Sequence, residues 1–553
     1  MPPPAPIQAS VVTPRFWAGF LVIHLLALAA LGAWVRSETR LVDLPALHLE
    51  QGERLRCVSY APYYLPGQTP LDPTTRIPRE QIEADLKALA PLTECVRIYS
   101  VHQGLEQVPA IAQKLGLKVL MGGWIGLEAD KNRVQIETLV KLANAYPNTI
   151  RAVIVGNEVL LRREQTEAGL RVYIEEVKSR VKVPVTYADV WEFWMRHPDL
   201  ESAVDFVTVH ILPFWEDDPV AVEQALIHVG DVRALVTRKF TKPVLIGETG
   251  WPSAGRQREG SRPSLVNQAR YVREFIHQAH AEGWDYNLIE ALDQPWKRRL
   301  EGTVGGYWGI LDTRLQPKFS FTQPVAERAS ASPVWAGMGA GALLGLVAAL
   351  VGARRLNPGP RLVAALAVAA AGALAGAVGV LAWEHARVAY RNELEWLLLG
   401  SVGLGAMLVP LLMGLWGGAR PLPSAAGARR EERSGKRSQA ARMAHKLSQF
   451  RLALLYAGAT AALLLVADPR YRDFPTLLYA IPALSLGTLG LLGWRANRLA
   501  REERLLGLVI LLGGLGRWLM EPTNLQAIAW GSCCLLLAAG GLLGRSDEDQ
   551  QGQ

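Results

Sequence analysis

Two glutamates stand directly after short apolar runs: Glu158 follows Ala152-Val153-Ile154-Val155-Gly156, and Glu248 follows Val244-Leu245-Ile246-Gly247. Paired carboxyl groups over a cleft suit glycosidic bond cleavage, in which one protonates the departing oxygen and the other attacks or stabilises an oxocarbenium-like centre. Trp124, Trp191, Trp194, Trp215, Trp251, Trp296 and Trp308 fall in loops or at strand ends, where flat rings stack on the apolar faces of sugars. A single glutamate of this kind could instead be a structural partner of an arginine. Two at strand ends, among aromatics, favour chemistry.

The elements that must position these residues repeat one pattern over residues 55–312: a β-branched run, a polar or Gly/Pro loop, then a stretch of helical period. Strands are expected at 55–60, 95–99, 118–121, 150–156, 183–187, 206–210, 243–247 and 287–292, with helices at 79–89, 108–115, 133–145, 167–181, 220–237 and 265–282. Eight such units over about 250 residues predict a closed (β/α)8 TIM barrel, of α/β class; an open doubly wound sheet is the alternative, and no Gly-rich phosphate fingerprint follows the first strand. Active-site groups of a barrel lie at the C-terminal ends of strands. Tyr60, Arg97, Tyr99, Asn157, Tyr187, His210, Glu290 and Asp293 occupy such positions beside the two glutamates.

The chain has 553 residues, 50% hydrophobic and only 20% charged, which is not the composition of an ordinary soluble globule. The apolar excess lies at 16–35 and in seven runs at 333–353, 362–383, 395–418, 452–467, 476–494, 505–520 and 525–543. An all-α transmembrane bundle is therefore expected after the barrel, with one N-terminal transmembrane helix before it. The domain plan is a cytoplasmic N-terminus and anchor at 1–35, an extracytoplasmic barrel at 36–318, a linker at 319–332, seven membrane helices at 333–545 and a cytoplasmic tail at 546–553. Lys and Arg concentrate in alternate loops: Arg354, Arg355 and Arg361, then nine from Arg420 to Arg451, then Arg495, Arg498, Arg501 and Arg504. Such loops stay cytoplasmic, so the protein is expected to be a multi-pass protein of the cell (inner) membrane with the barrel on the periplasmic or extracellular side. The same loops account for much of the net charge of +8, and no basic stripe with interleaved aromatics points to nucleic acid. The basic segment 420–451 is expected to be a solvated loop facing lipid headgroups, His24 to be packed within its helix, and Arg517 to snorkel to the interface beside Trp518. Cys533 and Cys534 act as small apolar residues, whereas Cys57 and Cys95 open strands whose proximity the sequence leaves open.

Five segments resemble glycoside hydrolase family 17, the β-1,3-glucanase family, in its membrane-anchored bacterial type. Val155-Gly156-Asn157-Glu158-Val159-Leu160 and Gly247-Glu248-Thr249-Gly250-Trp251-Pro252-Ser253 carry the resemblance. Val58-Ser59-Tyr60-Ala61-Pro62-Tyr63, Val96-Arg97-Ile98-Tyr99 and Glu290-Ala291-Leu292-Asp293-Gln294-Pro295-Trp296-Lys297 support it. It implies a retaining reaction on β-1,3-linked glucose polymers, with Glu158 as acid/base and Glu248 as nucleophile roughly 5 Å apart. Gln294 departs from the pattern, standing where many members carry an acid. Among strand-end groups, Asn157 would bind the sugar 2-hydroxyl, and Arg97 and Tyr187 would hold Glu248 ionised. His210 would touch sugar or nucleophile and Lys297 would donate to sugar hydroxyls; Tyr60, Trp251, Glu290, Asp293 and Trp296 complete the expected substrate contacts.

No cofactor or metal is expected. The partners are β-glucan, the lipid bilayer and, through the bundle, a glucan synthase. A membrane-tethered endo-β-1,3-glucanase is the first reading; a glucanosyltransferase that branches, elongates or cyclises glucan is the second, because a simple degrading enzyme needs no such bundle. A non-catalytic glucan-binding receptor is the third, and the intact pair of glutamates opposes it.

Overall fold

The β-branched runs close into one parallel barrel in the computed structural model, which describes residues 12–49, 54–353, 361–433 and 439–546. The strands are β1 (Val58–Ser59), β2 (Cys95–Ile98), β3 (Lys118–Gly123), β4 (Ile150–Asn157), β5 (Val185–Val190), β6 (Val207–His210), β7 (Val244–Thr249) and β8 (Asp285–Leu288). Each pairs in parallel with the next, and Val58 of β1 meets Leu288 of β8 to complete the ring. Alternate side chains point to opposite faces of a strand. One face supplies a small buried cluster of Cys57, Cys95, Leu120, Ala152, Ile154, Ala188 and Leu245, as expected of a barrel filled by its own side chains. The other face packs on the helices in a far larger apolar core.

Cys57, just before β1, and Cys95, opening β2, share a face and are joined by a disulfide with Cα atoms 4.3 Å apart. Helices Arg79–Leu89 and Leu265–Ala281 form where the periodicity places them. Helix Ala129–Ala145 begins a turn before its first core-facing residues, because its opening residues are polar and leave no apolar period to read. The eighth strand differs more. It starts at Asp285, and the apolar run after Leu288 leaves the ladder, with Leu292 bridging to Leu311 instead.

The chain forms two compact units, residues 41–327 and the segments flanking them. All eight apolar runs of the second unit are helical. Among the described residues, six helices are long and apolar enough to cross a membrane: Pro14–Glu38, Ser332–Gly352, Arg361–Ala389, Glu393–Trp416, Ala441–Ala467 and Leu525–Leu542. Thr476–Leu492 is apolar but shorter, and Arg501–Met520 begins with four charged residues. Glycines let Ser332–Ala353 and Arg361–Ala389 touch: a Cβ at Gly341 would overlap the carbonyl oxygen of Gly372, and one at Gly337 would lie 2.7 Å from that of Gly376.

Three expectations for charged or polar groups in this unit meet different outcomes. His24 is packed in its helix, its Nδ1 2.8 Å from the Phe20 carbonyl oxygen. Arg517 does not snorkel: it is buried and paired with Glu521 one turn on, since a partner within reach satisfies the charge locally. The basic segment is not simply a solvated loop either. It contains helix Ala425–Arg433, and Arg451 is wholly buried, held by Glu503 at 2.7 Å and Asn497 at 2.5 Å. Arg354, Arg355, Lys436 and Arg437 lie outside the described residues, as do parts of both expected terminal segments.

Candidate active site

At the end of β4 the backbone turns sharply. Gly156 has φ +84°, and a Cβ there would lie 2.6 Å from a Val159 methyl. Glu158 itself is left-handed at φ 52°, a conformation that costs a non-glycine residue energy and gathers at functional sites. Its amide donates to the Ala188 carbonyl at 2.8 Å, which fixes the turn to β5.

Glu248, on β7, is nearly buried and held by two donors on one oxygen. Tyr99 donates its hydroxyl to Oε1 at 2.9 Å, and the Arg97 guanidinium lies 3.3 Å from the same atom. Arg97 is itself buried and donates to the Gly247 carbonyl at 2.6 Å and to Asn157 Oδ1 at 2.5 Å. Gly247 has no room for a side chain, since a Cβ would lie 2.5 Å from a Thr208 methyl.

His210, at the end of β6, spans the pair. Its Nδ1 is 3.0 Å from Glu158 Oε1 and its Nε2 is 3.6 Å from Glu248 Oε1. One oxygen of each glutamate and a ring nitrogen lie within 4.8 Å of one another. These three residues are a grouping that could ligate a cation, but the fixed guanidinium of Arg97 already supplies counter-charge to the Glu248 oxygen. Burial pushes the Glu158 carboxyl up; the hydrogen bond and charge of His210, with Arg162 and Arg97 beyond, outweigh it and hold the group below the usual carboxylate range.

A second set of charges adjoins the pair. Lys297 Nζ is 3.1 Å from Glu290 Oε2, both with little exposure. Burial opposes the Lys297 charge, but Glu290 and Glu301 raise its pKa above the ordinary value. Burial pushes Glu290 up to about 7 against the pull of Lys297. Burial also raises Glu301, countered by Lys297 and reinforced by the like charges of Glu158 and Glu248.

Glu158, Glu248, Arg97, Asn157 and His210 thus meet in one cluster, with Lys297 and Glu290 adjoining. Several expected contacts are placed elsewhere. Tyr187 does not reach Glu248; it donates to Asp189 and accepts from the Leu160 amide, because the strand turns it toward its own successor loop. Burial pushes that Asp189 up to about 6. Tyr60 points behind the barrel wall, donating to Asp85 at 2.8 Å, so no sugar can reach its hydroxyl. Trp251 is buried, its Nε1 donating to the Arg262 carbonyl at 3.0 Å, and packs on Phe214 and Tyr271. Asp293 is tied to Lys318 at 2.7 Å rather than open to ligand. Trp296 stays partly exposed with Nε1 on Gln294 Oε1 at 2.7 Å, and Gln294 donates to the Ala61 carbonyl, so this neutral side chain ties the β8 loop to β1. Trp194 and Trp308 are core residues, whereas Trp124 is 39% exposed. The strand-end position of Tyr99, on the same face as Arg97 two residues before it, agrees with its place in the cluster, but the sequence does not give its bond to Glu248. Asp189 and Glu301 are not among the residues the sequence singles out, and nothing local marks Glu301, which sits on a helix beyond the strand.

A closed parallel barrel with two carboxyl groups facing each other at the C-terminal ends of β4 and β7 defines a domain of the barrel glycoside hydrolase class. Residues 57–309 match the BtgE/BtgC glycoside hydrolase domain. The chain is 27% identical over 279 residues to a probable glucan endo-1,3-beta-glucosidase btgC of Aspergillus clavatus, covering 44% of this chain and 40% of that protein. It is 29% identical over 261 residues to a glucan 1,3-beta-glucosidase of Arthroderma benhamiae, covering 43% of this chain and 83% of that protein. A solved glycoside hydrolase family 17 beta-1,3-glucanosyltransferase from Rhizomucor miehei is 25% identical, with a TM-score of 0.42 over 48% of this chain and 95% of that one. Over residues 57–309 the barrel is therefore similar to these β-1,3-glucan-cleaving glycoside hydrolases. The matched part spans about 40% of the length of the first curated relatives.

Proposed function

We propose that the barrel cleaves β-1,3-glucan by double displacement, with Glu248 as nucleophile and Glu158 as acid/base. The carrying observation is the short reach between the two carboxyl groups, with oxygens within 4.8 Å. Retaining enzymes hold the pair at about 5 to 5.5 Å, whereas inverting ones leave about 6.5 to 9.5 Å for a water. The asymmetry of donors supports the roles: Tyr99 and Arg97 both stabilise an anion on Glu248. Glu158 must arrive protonated. A sugar over the pair removes water from Glu158 and leaves the ionised Glu248 beside it, and both effects favour its neutral form. Glu248 then attacks the anomeric carbon while Glu158 gives its proton to the departing oxygen. Glu158, now ionised, takes a proton from the incoming acceptor as the glycosyl ester breaks. Asn157 and Lys297 supply hydrogen-bond donors toward sugar hydroxyls.

Water as acceptor gives hydrolysis, and a glucan hydroxyl gives transfer. The second unit supports a membrane tether, and a glucan synthase in the same bilayer is the partner such a tether would serve. The Cys57–Cys95 disulfide and the basic loops of the second unit support a barrel held outside the cytoplasm. Incubating the full-length protein with β-1,3-gluco-oligosaccharides and following anomeric configuration and chain length tests the reading. Retained β-configuration is expected, chains longer than the substrate would add transfer, and inverted product would sink the scheme.

A further inference from the structure

A buried arginine is costly unless its donors are satisfied, and Arg451 of the second unit is wholly buried. Its guanidinium donates to Glu503 Oε1 at 2.7 Å, to Asn497 Oδ1 at 2.5 Å, and to the carbonyls of Pro423 and Arg498 at 3.0 and 2.9 Å. Asn497 in turn donates to the carbonyls of Gly540 and Leu543, and Arg504 donates to those of Leu542 and Gly544. Backbone bonds from the amide of Leu422 to Ala496, of Arg498 to Leu422 and of Arg545 to Asn497 complete the knot. Segment 493–500 is thereby fixed against the end of helix Leu525–Leu542, and the side chains that leave it outward have defined positions.

Those side chains are mostly cationic. Arg498 and Arg545 are partners in a short parallel ladder, and paired positions of a ladder send their side chains to the same face. The guanidinium carbons of Arg495 and Arg545 lie 5.4 and 5.9 Å from the ring centroid of one indole, that of Trp494. Among the described residues, none of these three arginines has a carboxylate within ion-pair distance. Like charges gathered in one place repel unless an anion sits among them. Trp494 is 45% exposed, and Leu491, Leu492 and Leu543, which precede these residues in the chain, are exposed too. A fixed cationic face with an indole and an apolar rim matches an anionic phospholipid: guanidinium forks take the phosphate, the indole lies at the headgroup level, and the acyl chains cover the leucines.

We propose that Arg495, Arg498 and Arg545, grouped at Trp494, bind the headgroup phosphate of an anionic phospholipid from the cytoplasmic leaflet. The proposal rests on the reading of the second unit as a membrane tether with its basic loops inside. Rigidity separates this site from the general attraction of basic loops to an anionic surface, because cations already held in place lose little freedom on binding. Asp547, Glu548 and Asp549 follow in the sequence and are the competing source of negative charge within the chain.

The test uses the full-length protein, extracted in nonionic detergent, stripped of lipid and titrated with phosphatidylglycerol or phosphatidylcholine while bound lipid is counted by native mass spectrometry. Phosphatidylglycerol binds the more tightly. Arg495→Gln combined with Arg545→Gln weakens its binding roughly 30-fold, or about 2 kcal/mol. Arg429→Gln combined with Arg430→Gln removes the same charge from exposed positions of helix Ala425–Arg433 and leaves the affinity within about twofold. Equal losses in the two pairs overturn the site, since net charge alone would then govern binding, and so does equal affinity for the two lipids. Displacement of the lipid by an equal concentration of inorganic phosphate overturns the lipid as occupant in favour of the free anion. Binding that appears only after deletion of residues 547–553 overturns it in favour of the chain's own carboxylates. Recovery of the protein in the soluble fraction without detergent overturns the membrane reading and the site with it, whereas a membrane-bound protein that fails the lipid titrations overturns the site alone.

Discussion

Tyr99 and Glu248, 149 residues apart in the chain, share a 2.9 Å hydrogen bond in which the phenol donates to the carboxylate oxygen that Arg97 also approaches. Ser59 Oγ, 2.8 Å from the same hydroxyl, fixes its direction. A hydrogen bond to a charged group is worth about 1.5 to 3 kcal/mol. Tyr99→Phe should therefore lower kcat roughly 10- to 100-fold. Tyr187→Phe, acting only through Asp189 and the loop after β4, should cost much less, and steady-state kinetics on both variants separates them.

Removal of either glutamate should have unequal effects. Glu158→Gln removes general acid catalysis, worth about 10²- to 10⁴-fold, and the loss should shrink for an aryl β-glucoside whose leaving group needs no proton. Glu248→Ala should abolish turnover with both kinds of substrate. Equal losses for Glu158→Gln on activated and natural substrates would contradict its assignment as the acid.

His210 sets the ionisation of Glu158 through a 3.0 Å contact. The acid must be protonated, so the rate falls as pH rises through its pKa. Without His210, burial dominates, the Glu158 pKa rises, and the alkaline limb of the kcat/KM profile for His210→Asn should move to higher pH while the maximum drops.

Asp85 accepts from Tyr60 at 2.8 Å and from Tyr64 at 2.6 Å, and burial pushes it up to about 6 despite both bonds. Its folded pKa exceeds the unfolded value of about 3.9, so the folded state binds the proton more tightly. The corresponding stability is complete below about pH 4 and is lost as pH rises through about 6. Denaturant midpoints of the full-length protein should fall over that window and fall less in Asp85→Asn.

The disulfide closes a loop with a sequence separation of 38 residues. Chain-entropy arguments give such a crosslink about 4 kcal/mol of stability. Replacing Cys57 and Cys95 together by serine should lower the unfolding midpoint of the barrel while leaving its specific activity at low temperature largely intact, because both lie below the layer that holds Arg97 and Asn157.

The sequence by itself determined the strand ends at Asn157-Glu158 and Glu248, the barrel that gathers them, and the apolar helices, because period-2 and period-3.6 patterns are local and continuous. It also placed Tyr99 on the same face as Arg97, although that signal is silent about partners. Only the tertiary structure decided that Tyr99 rather than Tyr187 reaches Glu248, that Tyr60 turns to Asp85, that Trp251 is core while Trp124 is open, and that Arg517 finds Glu521. A strand fixes the direction of a side chain along its own axis, but what stands opposite depends on the stagger at which distant strands close the ring.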